Sequence, residues 1–309
     1  MQRLLALLLC LTPSVAMAQV DFSLVTTPQQ NAEALKKSIA KHAAEKPGVP
    51  FKIDNATYDF GNSNYIFPPD FTAVGESQDG VILQSAATWS AIYATCFGLS
   101  NGTTLDGFTL QSTCGDKQQS ELVGYADEAT KPRAATLRRM KLRGKAWCCY
   151  TWAGPDGNSL LIDNCDLWAA YVGIALGRSS GANAQFVKVV NSRIIMDPLL
   201  SSQGGSTTNP SSGGVCGICV RGGKLTVQGC TITATGPRPG YGPRLCAIAD
   251  NLEGGSKHSV LEINGLTSKL IPGSETIRVD VDNQLGKVLV GGTGSGSDGG
   301  LVVRKPVSN

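Results

Sequence analysis

The chain has 309 residues, and its 27 Lys and Arg against 24 Asp and Glu give a formal net charge of +3. That bias is too weak to predict binding to nucleic acid or to an anionic membrane. The 37 glycines beside only 8 phenylalanines favour a fold with many turns over a compact bundle of helices.

The first 18 residues are typical of a secretory signal peptide. MQR carries a positive charge, LLALLLCLTPSV is apolar, and AMA supplies small residues before a cleavage site after Ala18. A lipid anchor on Cys10 is the competing interpretation, which the bulky Leu before that cysteine disfavours. The apolar stretch is too short to span a bilayer, and no later stretch is long and apolar enough. We therefore expect an exported protein, periplasmic or extracellular, whose single mature domain covers residues 19–309.

Residues 28–45 are predicted to form an amphipathic helix. Ala32, Leu35, Ile39 and Ala43 fall on one helical face, and Thr27-Pro28 supplies a start signal. A helix of this kind can cover the open end of a stack of strands, where unpaired edges would otherwise invite aggregation.

From residue 91 onward a three-strand unit recurs about seven times, at intervals of roughly 23 to 32 residues. Strand A is followed by a loop, strand B, a tight corner and strand C, and a longer insertion lies at 198–213. Gly, Asn and Asp tolerate the left-handed backbone that such a corner needs. The predicted corners are Asp106-Gly107, Asn164, Asn191, Gly229 and Asn264, with Arg138-Arg139 as an exception that weakens its repeat.

A fixed period of this size predicts a solenoid, because three short strands cannot bury an apolar side until copies stack. Asn164, Asn191 and Asn264 should then lie on one edge of the stack with left-handed or bridging backbone. A β-sandwich would not give tight Asn corners at a regular period, and a propeller would need four strands per repeat.

This pattern resembles the right-handed parallel β-helix of the pectate lyase-like (pectin lyase-like) superfamily. The tight Asn-rich corner, the long variable connections from strand C to strand A, and the helix before the first strands all contribute to the resemblance. It covers nearly all of residues 26–305. It implies an all-β, single-stranded right-handed parallel β-helix with an N-terminal capping α-helix.

The resemblance also implies a groove on the face formed by strand A. Near the ends of these strands stand Asp127, Asp156, Arg178, Arg221, Asp250 and Asp282. Carboxylates can hold Ca²⁺, which neutralises a uronate, while a positioned Arg serves as base or charge stabiliser. Arg178, Arg221, Asp127, Asp156 and Asp250 are therefore the candidate catalytic residues, and Ca²⁺ is the candidate cofactor. The competing interpretation is that these aspartates and arginines are ordinary turn and surface residues without a catalytic role.

Sugar-binding candidates come from one loop and from nearby aromatic residues. The segment TGPRPGYGPRL presents Arg238, Tyr241 and Arg244, where Tyr can stack on a sugar and Arg can grip a carboxylate. Trp152 and Trp168 could form a sugar platform. A proline-stiffened loop and tryptophans packed in the interior are the structural alternatives.

Several enzyme motifs of the superfamily are missing. The Asn-Thr-Asp, Asp-Asp, Gly-His-Gly and Arg-Ile-Lys set of polygalacturonases is absent, as are the pectinesterase signatures and those of the main pectate lyases. Only His42 and His258 occur, and neither lies on strand A, which argues against a serine triad. Two classes of function stay open. The chain is either an exported protein acting on an acidic polysaccharide, as a uronate-polymer lyase rather than a glycoside hydrolase, or a non-catalytic glycan-binding, surface or purely structural β-helix protein.

Nine cysteines remain after signal cleavage, so at least one cannot pair within the chain. Cys216 and Cys246 occupy matching positions of neighbouring units and are the candidate disulfide. Cys165 and Cys230 match at the corner but lie two units apart, which predicts small buried residues instead. The Gly/Ser-rich segment 291–300 is interpreted as a loop inside the final coil, with a flexible linker as the alternative.

Overall fold

The structure is a computed structural model that describes residues 27–87, 95–115, 120–125, 131–151, 157–176, 185–197, 216–220, 223–234, 246–250, 259–270, 275–280, 287–291 and 301–304. The predicted signal peptide, the insertion at 198–213 and all but the first residue of the segment 291–300 lie outside these ranges. The described residues form one helix followed by short strands.

Helix α1 (Pro28–Glu45) has the predicted bounds. Thr27 caps its first turn by accepting a hydrogen bond from the Gln30 backbone N–H at 3.2 Å. Its buried face consists of Ala32, Leu35, Ile39 and His42, where His42 rather than the predicted Ala43 is the fully buried fourth member. The His42 ring packs on Phe51 with centroids 5.1 Å apart, so the helix closes over the first coil. No helix within the described ranges is long and apolar enough to cross a membrane.

The strands alternate among three sheets, named here after the three strands of the repeat. Sheet A contains β3 (Tyr65–Ile66), β6 (Thr95–Gly98), β9 (Glu121–Gly124), β12 (Trp147–Thr151), β15 (Val172–Leu176), β18 (Cys216–Val220), β21 (Cys246–Asp250), β24 (Glu275–Asp280) and β26 (Leu301–Arg304). Sheet B contains β1 (Phe51–Ile53), β4 (Thr72–Gly75), β7 (Thr104–Asp106), β10 (Ala134–Arg138), β13 (Ser159–Asp163), β16 (Phe186–Val190), β19 (Gly223–Gln228), β22 (Ser259–Asn264) and β25 (Lys287–Gly291). Sheet C contains β2 (Ala56–Asp59), β5 (Val81–Ser85), β8 (Thr109–Ser112), β11 (Lys141–Arg143), β14 (Asp166–Ala169), β17 (Arg193–Met196), β20 (Thr231–Ala234) and β23 (Thr267–Lys269).

Strands pair in parallel with their counterparts in the coils before and after. For example, β13 pairs with β10 on one side and with β16 on the other, and β14 pairs with β11 and β17 in the same way. The chain therefore folds as a single-stranded right-handed parallel β-helix with an N-terminal capping helix, as predicted. A sandwich or a propeller would require antiparallel neighbours.

The interior is built from rows of stacked apolar side chains. Ile174, Ile218 and Ile248 stand opposite one another in sheet A, and all three are fully buried. In strands of sheets B and C such as β13 and β17, buried and outward residues alternate. Each added coil thus extends one continuous core rather than closing its own.

The corner between sheets B and C is one left-handed residue at equivalent positions of successive coils. These residues are Gly107, Arg139, Asn164, Asn191, Gly229 and Gly265. The predictions for Asn164 and Asn191 are confirmed, with φ of 53° and 48°. The prediction for Asn264 is wrong by one residue, because Asn264 ends β22 opposite Gln228 and the corner falls on Gly265. Arg139 is no exception, since it takes the corner conformation with a φ of 50°.

Replacing Asn191 by Ala should lower the free energy of unfolding by about 1 kcal/mol, because Ala tolerates left-handed backbone poorly. Asn191→Gly should cost less, since glycine adopts that conformation without a steric penalty. Urea unfolding of both variants tests this expectation. Equal losses would show that the Asn side-chain amide matters more than the backbone.

Candidate functional site

Most of the predicted site residues lie outside the described residues. These are Asp127, Asp156, Arg178, Arg221, Trp152, Arg238, Tyr241 and Arg244, together with Asp282. Asp250 is described by its backbone alone, which ends β21 opposite Val220 and Val279. Trp168 is the one sugar-binding candidate whose side chain is described, and it lies in sheet C rather than sheet A.

Several strands in the middle of sheet A are buried on both faces. Every residue of β9, β15 and β18 is buried, which explains why segments such as VGIAL and CGICV are continuously apolar or small. The outer side of these three strands therefore presents no open surface, and of the residues predicted to line a groove only Asp250, at the end of β21, falls within a described strand of the sheet.

Glu121 is the unusual member of this buried sheet. It opens β9, is only 5% exposed, and its Oε2 atom has no hydrogen-bond partner among the described residues. Burial raises the pKa of this carboxyl to about 8. Glu121 is thus largely protonated at neutral pH, and it lies too deep in the structure to contact a polymer.

The outer side of sheet C carries the most distinctive described surface, the Trp168 face. It consists of the outward residues of β11, β14 and β17, which are Lys141, Arg143, Asp166, Trp168, Arg193 and Ile195. The Arg143 guanidinium lies over the Trp168 ring, 5.4 Å from its centroid. Arg143 and Ile195 are the neighbours of Trp168 across the sheet, so the indole has a cation on one side and an apolar residue on the other.

A charged row runs beside Trp168, two residues nearer the corner. Lys141, Asp166 and Arg193 stand opposite one another in β11, β14 and β17. Arg193 donates two hydrogen bonds to the Asp166 carboxylate, at 2.7 and 2.6 Å, while 61% of its side chain stays exposed. This pair uses Nε and Nη2 and leaves the Nη1 donors of Arg193 for another acceptor.

Next to this row a groove follows the corner between sheets B and C. The corner groove has a volume of about 360 Å³ and is lined by Gly75, Glu76, Ser77, Gln78, Gly107, Arg139, Asn164 and Asp166. Asp166 belongs to both surfaces, so the corner groove and the Trp168 face are continuous.

One wall of the corner groove is the segment 76–80, which replaces the one-residue corner of later coils. Gln78 ties this segment to the next two coils, since its Nε2 donates to the Arg139 carbonyl at 2.8 Å and its own carbonyl accepts from Thr109 Oγ1 at 2.7 Å. Lys141 adds an ion pair with Asp79. The wall is thus held against the Trp168 face at several points.

No protein-family model and no curated protein matches this chain. Among solved structures, the A-module of the mannuronan C-5 epimerase AlgE4 from Azotobacter vinelandii is similar at 9% identity and a TM-score of 0.34. The similarity spans 90% of this chain and 96% of that module. The fold assignment itself rests on the strand pairing described above.

Neighbouring groups keep the residues around the corner groove charged. Two hydrogen bonds to Asp106, both 2.7 Å long, raise the pKa of Arg139, and the bonds to Asp166 likewise raise the pKa of Arg193. The Asn55 backbone N–H, together with Lys52, lowers the pKa of Glu76. These fixed charges suit ligand binding better than proton transfer near neutral pH.

No three carboxylate, thiol or imidazole groups in the described ranges meet in a metal-binding arrangement. The carboxylates predicted to hold Ca²⁺ lie outside those ranges, apart from the backbone of Asp250, so a Ca²⁺ site stays a prediction.

Sequence reasoning missed Arg143 and the charged row of Lys141, Asp166 and Arg193. The signal was present in KLR, DLWA and RIIM, where the first residue of each strand is charged and the third points the same way. Aligning these segments on their corners would have placed the three charges in one row.

Proposed function

We propose that this chain is an exported β-helix protein that binds an acidic polysaccharide on the Trp168 face. The observation that carries the proposal is the Arg143 guanidinium stacked on Trp168, beside a row that holds two further cations. A uronate polymer offers a ring face for the aromatic residue, and carboxylates for Arg143 and for the Nη1 donors of Arg193. Export rests on the signal sequence of residues 1–18.

The Trp168 face is arranged for a charged chain rather than for an isolated ion. Arg143 has no carboxylate within salt-bridge distance among the described residues, so its charge is available to a ligand. Arg193 is oriented by Asp166 and keeps its Nη1 donors. Strands of a parallel sheet lie about 4.8 Å apart, so sites on β11 and β17 are about 10 Å apart, which is close to the length of two sugar units.

The corner groove extends this binding surface. Its carboxylates and the Asn164 amide can pair with sugar hydroxyls, and its volume of about 360 Å³ is within the range of small-ligand sites. Because Asp166 belongs to both surfaces, a polymer bound on the Trp168 face could extend past Asp166 and form hydrogen bonds with polar residues of the corner groove.

Replacing Trp168 by Ala should weaken binding to polygalacturonate or alginate about tenfold, because the loss of an aromatic stacking partner costs on the order of 1.4 kcal/mol. Arg143→Ala should weaken binding similarly and reduce its dependence on salt. Isothermal titration or affinity electrophoresis measures both effects.

Phe186→Ala is the matched control, since Phe186 is an exposed aromatic residue on sheet B, 43% exposed and away from the Trp168 face. Its affinity for polymer should match that of the parent. Loss of binding in Phe186→Ala with normal binding in Trp168→Ala would move the site to sheet B and contradict the proposal.

The finer proposal is that the chain also cleaves such a polymer by β-elimination, at a second site formed by residues that follow the strands of sheet A. Arg178 and Arg221 would be the central cations, while Asp127, Asp156 and Asp250 would hold Ca²⁺ or act as acids. Arg238, Tyr241, Arg244 and Trp152 would hold the neighbouring sugars. Two features of the sequence support this proposal: these acidic and basic residues follow corresponding strands of successive repeats, and their side chains are of the kinds that elimination from a uronate requires.

Elimination forms an unsaturated uronate, which absorbs in the ultraviolet. Parent protein should form it from a uronate polymer more rapidly with Ca²⁺ than without, and Arg221→Ala should lower turnover with little change in melting temperature. Full activity in that variant would remove Arg221 from the mechanism. Binding without any product in the parent protein would leave a non-catalytic glycan-binding protein.

A further inference from the structure

The row of outward residues that contains Trp168 continues beyond the Trp168 face, along the axis of the β-helix. From Arg143 the register runs through Trp168 and Ile195 to Thr233 in β20 and Lys269 in β23. Thr233 is half-buried and Lys269 is exposed. We call these five residues the axial row. Its last two members lie outside the Trp168 face and have no part in the binding described so far.

The axial row has a cation at each end and uncharged side chains between them. Arg143 and Lys269 are exposed, and neither has a carboxylate within salt-bridge distance among the described residues. Between them lie the Trp168 ring, the Ile195 side chain and the Thr233 hydroxyl. An aromatic and an apolar side chain suit the face of a sugar ring, and the hydroxyl can pair with a sugar hydroxyl.

The short strands of sheet C favour a polymer that lies along the axis. β11 and β23 have three residues each, so each of them turns only two side chains outward. A polymer lying along a strand would meet those two side chains alone, whereas a polymer lying along the axis meets a new side chain at each coil. Strands are about 4.8 Å apart, which is close to the length of one sugar unit, so successive units fall on successive coils.

The charges on these coils favour an acidic chain. The outward residues of β11, β14, β17, β20 and β23 include four cations and one carboxylate, which are Lys141, Arg143, Arg193 and Lys269 against Asp166. Arg193 holds the Asp166 carboxylate by two hydrogen bonds, and Lys141 forms an ion pair with Asp79. The two end cations of the axial row are therefore the charges that a ligand can engage without displacing a partner in the described part of the chain.

We infer that the polymer lies along the axial row with one sugar unit on each coil, and that Lys269 binds the carboxylate of the unit farthest from Arg143. This inference rests on the proposed function, to which it adds a binding residue, a direction and a minimum length. Four strand spacings, about 19 Å, separate the two cations, so a chain of about five acidic units is needed to reach both. A trisaccharide covers only the Arg143 end of the row, with Trp168 and Ile195.

Isothermal titration of the full chain with trisaccharides and hexasaccharides of galacturonate and of mannuronate tests the inference. In the series that binds, the parent should bind the hexasaccharide about tenfold more tightly than the trisaccharide, because only the longer chain reaches Lys269. Lys269→Ala should lose this gain and leave both the trisaccharide affinity and the melting temperature unchanged. Trp168→Ala should weaken the binding of both lengths.

Lys188→Ala is the matched control, since Lys188 is an exposed lysine on sheet B whose removal changes the net charge equally. It should bind both oligosaccharides as the parent does. Equal losses of hexasaccharide binding in Lys188→Ala and Lys269→Ala would show that net charge alone matters, and would overturn the inference.

Two further outcomes separate this inference from the proposed function. If Trp168→Ala weakens binding but Lys269→Ala binds the hexasaccharide as tightly as the parent, the proposed function stands and the axial row is wrong. Equal affinity of the parent for both lengths would overturn the inference even if a variant failed to fold. If the parent binds neither series, the proposed function and the inference both fall.

Discussion

Gly217→Ala is expected to lower the free energy of unfolding by about 3 kcal/mol, because it overfills the core. A Cβ atom at this position of β18 would lie 2.6 Å from Ile232 Cγ2 and 2.7 Å from the Ala247 carbonyl oxygen. Ile232 is fully buried, and the carbonyl belongs to the next strand of sheet A, so neither can move freely. Urea unfolding of the variant and the parent measures the loss.

A double-mutant cycle with Ile232 tests why position 217 requires a glycine. Ile232→Ala removes the atom that the new methyl group would meet, at a cost of its own of roughly 2–5 kcal/mol. The double variant should lose clearly less than the two single losses together, because the added methyl fills part of the cavity. Strictly additive losses would show that Ile232 is not what excludes the methyl group and would leave the Ala247 carbonyl as the obstacle.

A matched control lies in the same row of the next coil. Ala247 has a Cβ atom where Gly217 has none, and the corresponding residue of sheet C is Ser268 rather than an isoleucine. Gly173, one coil earlier, repeats the Gly217 arrangement with Ile194, 2.5 Å from the position of a Cβ atom. Gly173→Ala should therefore be as damaging as Gly217→Ala, whereas Ala247→Gly should be milder.

The fold could be predicted from the sequence because its determinants are local and repeated. Alternating Val187 and Val189, a one-residue corner at Asn191, and the next short strand are all visible within about a dozen residues. The same signals recur in successive coils from Gly107 onward, so an error in one unit does not change the fold. Helix α1 followed from its own apolar periodicity in the same way.

The register at individual corners could not be predicted, since it depends on contacts between coils. Arg139 adopts left-handed backbone although Arg has no preference for it, and Asp106, 33 residues earlier, holds the guanidinium by two hydrogen bonds. In Asn264-Gly265 either residue could form the corner. Pairing of Asn264 with Gln228 in the neighbouring strand places the corner on Gly265.

The candidate site was the least predictable feature because it is assembled across coils. Trp168 could be identified as a sugar-binding candidate by its chemistry, but its partner Arg143 is contributed by the neighbouring coil. The corner groove depends on Gln78 reaching the Arg139 carbonyl, 61 residues away in sequence. Neither contact produces a recognisable pattern within a short stretch of the sequence.

Raising the pH from about 5 to 9 is expected to destabilise the protein through Glu121. Burial raises the pKa of this carboxyl to about 8 in the folded chain, above the ordinary 4.5. The folded state therefore keeps a proton that the unfolded state releases, so the free energy of unfolding falls as the pH rises between these two values. At about 1.4 kcal/mol per pH unit, the loss attributable to Glu121 is on the order of 5 kcal/mol.

Glu121→Gln should remove most of this dependence, because a neutral amide has no proton to lose, and the variant should be more stable than the parent at pH 9. Melting temperatures of both proteins across the pH range measure the difference in slope. Glu76→Gln is the control: its carboxylate is exposed and its pKa is lowered, so it is ionised throughout this window and its removal should leave the slope unchanged. A parent profile that stays flat from pH 5 to 9 would mean that the Glu121 carboxylate gains a partner when it ionises, since an unpartnered buried charge must cost stability.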